Sequence, residues 1–408
     1  VSKVISICDF IIYWSIILIP FSISISPAFT YSFMGFLFCS FLLKKILKRQ
    51  RLFVRTAINI PFILLVIISI ISFKNSIDLK SSIRGIWKFV EYAMLFLICA
   101  EEVRDKKHLG RILGGIICGA VMSSIDGLWQ LYSGKDFIRG HAPIINIGLK
   151  RATAAFPNAN VFGVYVSAIA PVITGMALFA FKGAKKTCML FFSLLAITGV
   201  FLTLSRGTAL ALYLSVLLIA ILKRNKLLTT LLIIFILISP FLLPKNVKNW
   251  AKDVNYNPVR FMLNDDRISV YRNTMNMIKH HPFIGVGFST FPENYLKYKL
   301  PEPDYAGTAD HMYAHNHYLQ MAGETGIIGL SIFIWLLISV FSEAKKIYSK
   351  LTSGYLKTYV ISLVAGIAAF LINGLTETSL YYSRVSMIFW FMIGLLLSFK
   401  RFCSEENG

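Results

Sequence analysis

The chain has 408 residues, of which 56% are hydrophobic and only 15% charged, with a mean hydropathy of +0.65. A soluble domain carries charge on about a quarter of its residues, so a single core under a polar shell is excluded and the bilayer is the solvent. The formal charge of +22 does not mark a nucleic-acid binder, because the basic residues sit between apolar runs and form no patch with interleaved aromatics.

A helix needs about 20 apolar residues to cross roughly 30 Å of hydrocarbon. Runs of that kind fall near 9–26, 28–43, 57–73, 85–100, 112–132, 157–181, 187–204, 208–222, 227–243, 325–341, 358–375 and 384–399. They predict an all-α, polytopic membrane protein with about twelve transmembrane helices. The first run lacks a small-residue cleavage site and is expected to stay in the protein as a helix. Basic clusters follow every even-numbered run, among them Lys44, Lys45 and Lys48, then Arg104 and Lys106, Lys182 and Lys185, Lys223 and Arg224, Lys345 and Lys346, and finally Lys400 and Arg401. Both termini are therefore expected in the cytoplasm, and the odd-numbered exits face outward.

The ninth exit opens a loop of about 75 residues, from Pro244 to about His317, long enough to hold helices of its own. The expected organisation is 1–243 for helices 1 to 9, 244–324 for an outward loop domain carrying catalytic residues, and 325–408 for helices 10 to 12 and the tail. Cys8, Cys39, Cys99, Cys118, Cys188 and Cys403 lie in or beside apolar runs or in the tail, without a C-x-x-C pair. Neither a disulfide framework nor a cysteine zinc site is indicated. There is no P-loop, and Gly285-Val286-Gly287 reads as a turn without the strand and helix of a nucleotide fold.

The candidate chemistry is outward. Arg206 stands between two apolar runs with only Ser205-Arg206-Gly207 as loop. An arginine is expensive in a membrane unless it faces a polar cavity or snorkels to the interface, and its guanidinium is suited to forking onto phosphate oxygens. Six of the seven histidines, His141, His280, His281, His311, His315 and His317, are placed outside. No H-E-x-x-H spacing occurs, so no zinc site is expected. A neutral imidazole is instead suited to taking a proton from a sugar hydroxyl.

Several of these pieces together resemble the bacterial O-antigen ligase and O-antigen polymerase superfamily. They are His315-Asn316 followed by Gly326-Ile327-Ile328-Gly329, Ser205-Arg206-Gly207 at a hairpin tip, and Arg267 ahead of His281-Pro282-Phe283-Ile284-Gly285-Val286-Gly287. The outward segment Arg151-Ala152-Thr153-Ala154-Ala155-Phe156-Pro157-Asn158-Ala159-Asn160 is also similar to that family's.

The resemblance implies a multi-spanning glycosyltransferase of the GT-C type in the cell inner membrane. Its active site would face the periplasm and take glycan from an undecaprenyl-pyrophosphate carrier without metal or other cofactor. It further implies Arg206 and Arg267 on the pyrophosphate and His315 as general base in an inverting displacement, with His311 and His317 as the nearest alternatives. Arg151, Asn316, Arg84 and Arg139 are the further candidates for substrate binding. Lys88, Lys150 and Arg384 are outward cations that could widen the same positive funnel. A polymerase must accommodate two pyrophosphate lipids and should show a second basic site, which the sequence does not suggest. The expected reaction is therefore O-antigen ligation to a lipid A-core acceptor, with polymerisation from the same donor as the alternative. A transporter or flippase ranks behind both, because no inverted repeat is visible.

Overall fold

The computed structural model describes all residues except 53–54, 147, 243–244, 264, 302–312 and 406–408. It is almost entirely helical. In chain order the helices are α1 (Ser2–Ile25), α2 (Pro27–Leu47), α3 (Asn59–Ile71), α4 (Leu79–Glu102), α5 (Lys106–Ser133), α6 (Ala159–Phe179), α7 (Gly183–Leu202), α8 (Arg206–Leu222) and α9 (Lys226–Leu242). Then come the shorter α10 (Lys245–Asp253), α11 (Pro258–Met262), α12 (Asp265–His280) and α13 (Phe291–Tyr295), followed by α14 (His317–Lys350), α15 (Gly354–Asn373) and α16 (Ser383–Glu405). The all-α expectation needs one correction. Between α5 and α6, β1 (Ile144–Asn146) pairs antiparallel with β2 (Leu149–Arg151), Ile144 opposite Arg151.

Among the described residues, eight helices are long and apolar enough to cross a membrane: α1, α2, α5, α6, α7, α14, α15 and α16. Shorter apolar helices cover Asn59–Asn75, Arg206–Leu222 and Lys226–Phe241. The remaining run falls on α4, where Lys80, Arg84, Lys88 and Glu91 interrupt the apolar sequence. Each of the twelve runs thus lies on a helix, and eight meet the criterion for a span.

Local chemistry sets the helix ends. The first hairpin needs almost no loop because Ser26 caps α2, accepting from the Ala28 amide, while Pro27 takes the first helical position with its fixed φ. Asp105 caps α5 through the His108 amide, and Asn158 caps α6 through the Val161 amide. In α6, 94% of the spanning window is buried, and in α16, 89%. Both are apolar all round, as core helices of a bundle must be. Helix α6 packs on α15, α7 and α8, and α16 packs on α4. Small residues permit the approach: Gly175 faces Ser362, Gly199 faces Ser124, and Gly366 lies against the Ala168 carbonyl. At the other end of α2, Lys44 is buried and held by Asp9 at 2.5 Å and Glu102 at 2.7 Å, which ties α1, α2 and α4 together. A buried ammonium is tolerated only with such partners.

The basic clusters of the sequence lead to the expectation that Lys186, in the first turn of α7, and Asn294, in α13, lie on opposite sides. Reporter fusions at Lys186 and Asn294 are expected to report opposite compartments, and finding both in one compartment would overturn the orientation.

Candidate active site

Four segments far apart in sequence meet in a cavity of about 340 Å³. Its walls include Arg151 and Asn160, the turn Leu204 to Gly207 with Arg206, Val247 and Trp250 from α10, Asp266 and Arg267 from α12, and His315. The three side chains expected to carry the reaction, Arg206, Arg267 and His315, thus share one cavity, joined by Arg151.

Arg206 is the first residue of α8, which begins directly after the hairpin tip; Leu204 sits there in the left-handed region at φ 49°. The exposed amides of a helix's first turn favour anions. Gly207 follows because α8 lies hard against the loop before α16: a Cβ on it would collide with the Thr376 side chain. Trp250 stacks on the Arg206 guanidinium at 4.2 Å from its ring centroid, and the Phe261 carbonyl accepts a hydrogen bond from Arg206 Nη1.

Arg151 ends the ribbon. Its Nε donates to the Thr203 carbonyl at 2.7 Å and its Nη2 to Asn160 Oδ1 at 2.7 Å. Burial lowers its pKa, the Arg267 charge lowers it further, and Glu377 opposes. Arg151 is therefore a partly desolvated cation beside another cation, a condition that a bound polyanion relieves.

Glu377 joins these parts. It lies between α15 and α16 with 5% of its side chain exposed. Oε1 lies 3.1 Å from His315 Nδ1, while Oε2 accepts from Asn160 Nδ2 at 2.9 Å and is paired with Arg267 Nη2 at 3.5 Å. Burial pushes its pKa up, but the hydrogen bond and charge of His315, the charge of Arg267 and the Asn160 hydrogen bond together outweigh burial, and the carboxyl titrates below its ordinary range. With Nδ1–H directed at this carboxylate, the lone pair of His315 is on Nε2.

The backbone at His315 is constrained. Its φ of 47° lies in the left-handed region, which costs a non-glycine residue about 1 kcal/mol or more. The Tyr271 hydroxyl secures the turn, shared between the carbonyls of His315 at 3.0 Å and Leu375 at 2.8 Å. Asn316 caps α14, accepting from the Tyr318 and Leu319 amides, and donates to the Leu375 carbonyl at 3.2 Å. It shapes the turn that presents His315 and does not line the cavity. Past it, α14 breaks at Gly326, φ 70°, where the Ile327 amide donates to the Pro282 carbonyl at 2.8 Å. The Val286 and Gly287 amides donate to the Gly323 and Glu324 carbonyls. The glycine-rich turn at 285–287 and the break in α14 are therefore one interlocked unit.

Other candidates lie elsewhere. Arg84 is not part of the cavity wall; its Nη2 donates to Ser81 on the exposed side of α4. Arg139 also lies off the wall, in a turn whose amides bind Asp136. Arg384 is buried and spends its donors on the Ile23 and Ala155 carbonyls. His317 is fully buried against Phe370 and Gly374, with neither ring nitrogen hydrogen-bonded, so it cannot reach the cavity. His311 lies outside the described residues.

Residues 191–334 match the family model described as O-antigen ligase. Over that segment, about a third of the chain, the protein is similar to the O-antigen ligase family. No curated protein matches it. The matched segment contains Arg206, Arg267 and His315, whereas Arg151, Asn160 and Glu377 come from either side of it. Glu377 escaped the sequence reading. Its signal was a single acid in the short segment between the last two apolar runs, on the outward side.

Glu377→Gln is expected to lower thermal stability. A carboxyl whose folded pKa is depressed contributes stability that is present above its unfolded value of about 4.3 and is lost as pH falls through the folded value. The melting-temperature gap between wild type and variant should be full at neutral pH and narrow on acidification below that value. A gap independent of pH would show that the ion pairs do not hold this loop.

Proposed function

We propose that the protein transfers a glycan from an undecaprenyl-pyrophosphate carrier to a hydroxyl of a lipid A-core acceptor, as an O-antigen ligase. The observation that carries this reading is the meeting of Arg151, Arg206 and Arg267 with His315 in one cavity. The family match supports the broader reaction class, ligase or polymerase.

Each residue has a part that its surroundings allow. The arginines receive the pyrophosphate, offering forked donors to its oxygens and neutralising the charge that grows as the anomeric C–O bond breaks. His315 Nε2 takes the proton of the acceptor hydroxyl while that oxygen attacks the anomeric carbon from the face opposite the leaving group, inverting its configuration. Glu377 stabilises the imidazolium that forms, as a buried carboxylate behind a catalytic histidine does. The proton leaves to solvent with the products. The three arginines supply the positive charge that a soluble enzyme would draw from a divalent metal, so the reaction is expected to be metal-independent. The arginines of the cavity wall gather around one headgroup, and Arg84 and Arg139 lie off that wall. That favours an acceptor without a second pyrophosphate, hence ligase over polymerase. The site is taken to face the periplasm from the inner membrane, within twelve spans divided as 1–243, 244–324 and 325–408.

With purified protein and lipid-linked donor, His315→Ala is expected to lower turnover by about 10² to 10⁴. Arg206→Ala and Arg267→Ala should lose most activity, and EDTA should not change the wild-type rate. Near-normal turnover in His315→Ala would remove it as the base, and loss in EDTA restored by a divalent ion would overturn the arginine reading. Deleting the gene should leave full-length carrier-linked chains and bare core. Core capped by one repeat would instead assign a polymerase.

A further inference from the structure

Helix α10 reads Lys245-Asn246-Val247-Lys248-Asn249-Trp250-Ala251-Lys252-Asp253. At 100° per residue Lys245, Lys248 and Lys252 fall along one side, and Val247, Trp250 and Ala251 along the other. The structure follows this division. The three lysines are exposed, while Val247 and Trp250 are partly buried in the cavity wall. No carboxylate pairs with any of these lysines among the described residues.

Apolar α9 ends at Leu242 and α10 starts at Lys245. Three residue steps reach at most about 11 Å, so with α9 as one of the twelve spans proposed above, α10 begins at the bilayer surface. Lys248 Nζ donates to the Phe241 carbonyl near the end of α9 at 2.7 Å. Short amphipathic helices with lysine on the polar face, kept at an interface, bind anionic lipid by charge.

On its other side α10 touches the candidate site. The Trp250 ring stacks on Arg206 and lies 4.9 Å from the Phe261 ring, and Phe261 supplies the carbonyl that binds Arg206 Nη1. Stacking covers a face of the guanidinium and leaves its remaining edge donors to fork onto an anion.

We propose that α10 is a docking surface for anionic phospholipid headgroups, engaged through Lys245, Lys248 and Lys252, and that this contact seats Trp250 as a positioning residue for Arg206. The coupling to Arg206 rests on the pyrophosphate-binding reading above; the lipid contact does not.

The test uses the full chain in nanodiscs of phosphatidylcholine alone or with phosphatidylglycerol, and hydrogen–deuterium exchange of the peptide spanning α10. Exchange is expected to be several-fold slower in the anionic discs, and the Lys245→Gln, Lys248→Gln, Lys252→Gln triple variant should abolish that difference. Equal exchange in both lipids, or lipid dependence surviving in the triple variant, would overturn the docking surface. Protection by inorganic pyrophosphate in neutral discs that is lost in the lysine triple variant would also overturn it, by assigning the lysine row to a soluble or donor phosphate. In the transfer assay, Trp250→Ala should raise KM for the lipid donor about tenfold with kcat little changed, and Trp250→Phe should restore it. An unchanged KM in Trp250→Ala would sever the lipid contact from Arg206. If wild-type protein shows no transfer at all, the proposed function fails while the exchange result still decides the lipid contact.

Discussion

A carboxylate removed from water either acquires donors or takes up a proton, because an isolated charge in a low-dielectric interior is too costly to keep. Glu377 has acquired them from three separate parts of the chain: His315 before α14, Arg267 on α12 and Asn160 in the first turn of α6. Through Asn160 the network also reaches Arg151, which holds the turn before α8 by way of the Thr203 carbonyl. The relative positions of base and cations are therefore fixed by the satisfaction of one buried anion. Taking that anion away would leave an imidazole without its orienting partner and two arginines without their nearest negative charge.

The same arrangement leaves a charge imbalance that suits a polyanion. Arg151, Arg206 and Arg267 face the cavity, and among the described residues of its wall Asp266 is the one acid, with Glu377 paired to Arg267 behind it. In a partly enclosed cavity, such forks bind phosphate more strongly than they would at a flat, open surface. The backbone bears part of the cost, with His315 held at φ 47° by the Tyr271 hydroxyl and by the Asn316 cap. Further along α14, the glycine turn and the break at Gly326 are stitched together by the Ile327, Val286 and Gly287 amides.

Much of this was legible in the sequence, for physical reasons that differ between residues. Arg206 stood out because an arginine with almost no polar loop around it must have a destination, and His315 because it belonged to a spaced pattern ahead of Gly326. The helices were legible from hydropathy, apart from the β1–β2 ribbon, whose strands are three residues each and too short for a periodic signal. Glu377 was not legible because its meaning lies in a contact across 62 residues of sequence. Arg84, Arg139 and Arg384 looked like equivalent outward cations. Only packing separates them, since Arg384 is consumed by the Ile23 and Ala155 carbonyls while Arg84 points away along α4. His317 looked like a neighbour of His315, but one residue of helix turns it into the apolar interior against Phe370.

The central claim is that one cavity holds both the lipid pyrophosphate and the base. The most direct measurement is a cryo-electron microscopy structure of the full chain in nanodiscs with undecaprenyl pyrophosphate bound. The account predicts the pyrophosphate among Arg151, Arg206 and Arg267, with Glu377 still on His315 Nδ1 and Nε2 open to the acceptor side. Pyrophosphate density bound away from these arginines, with His315 remote from it, would contradict the account.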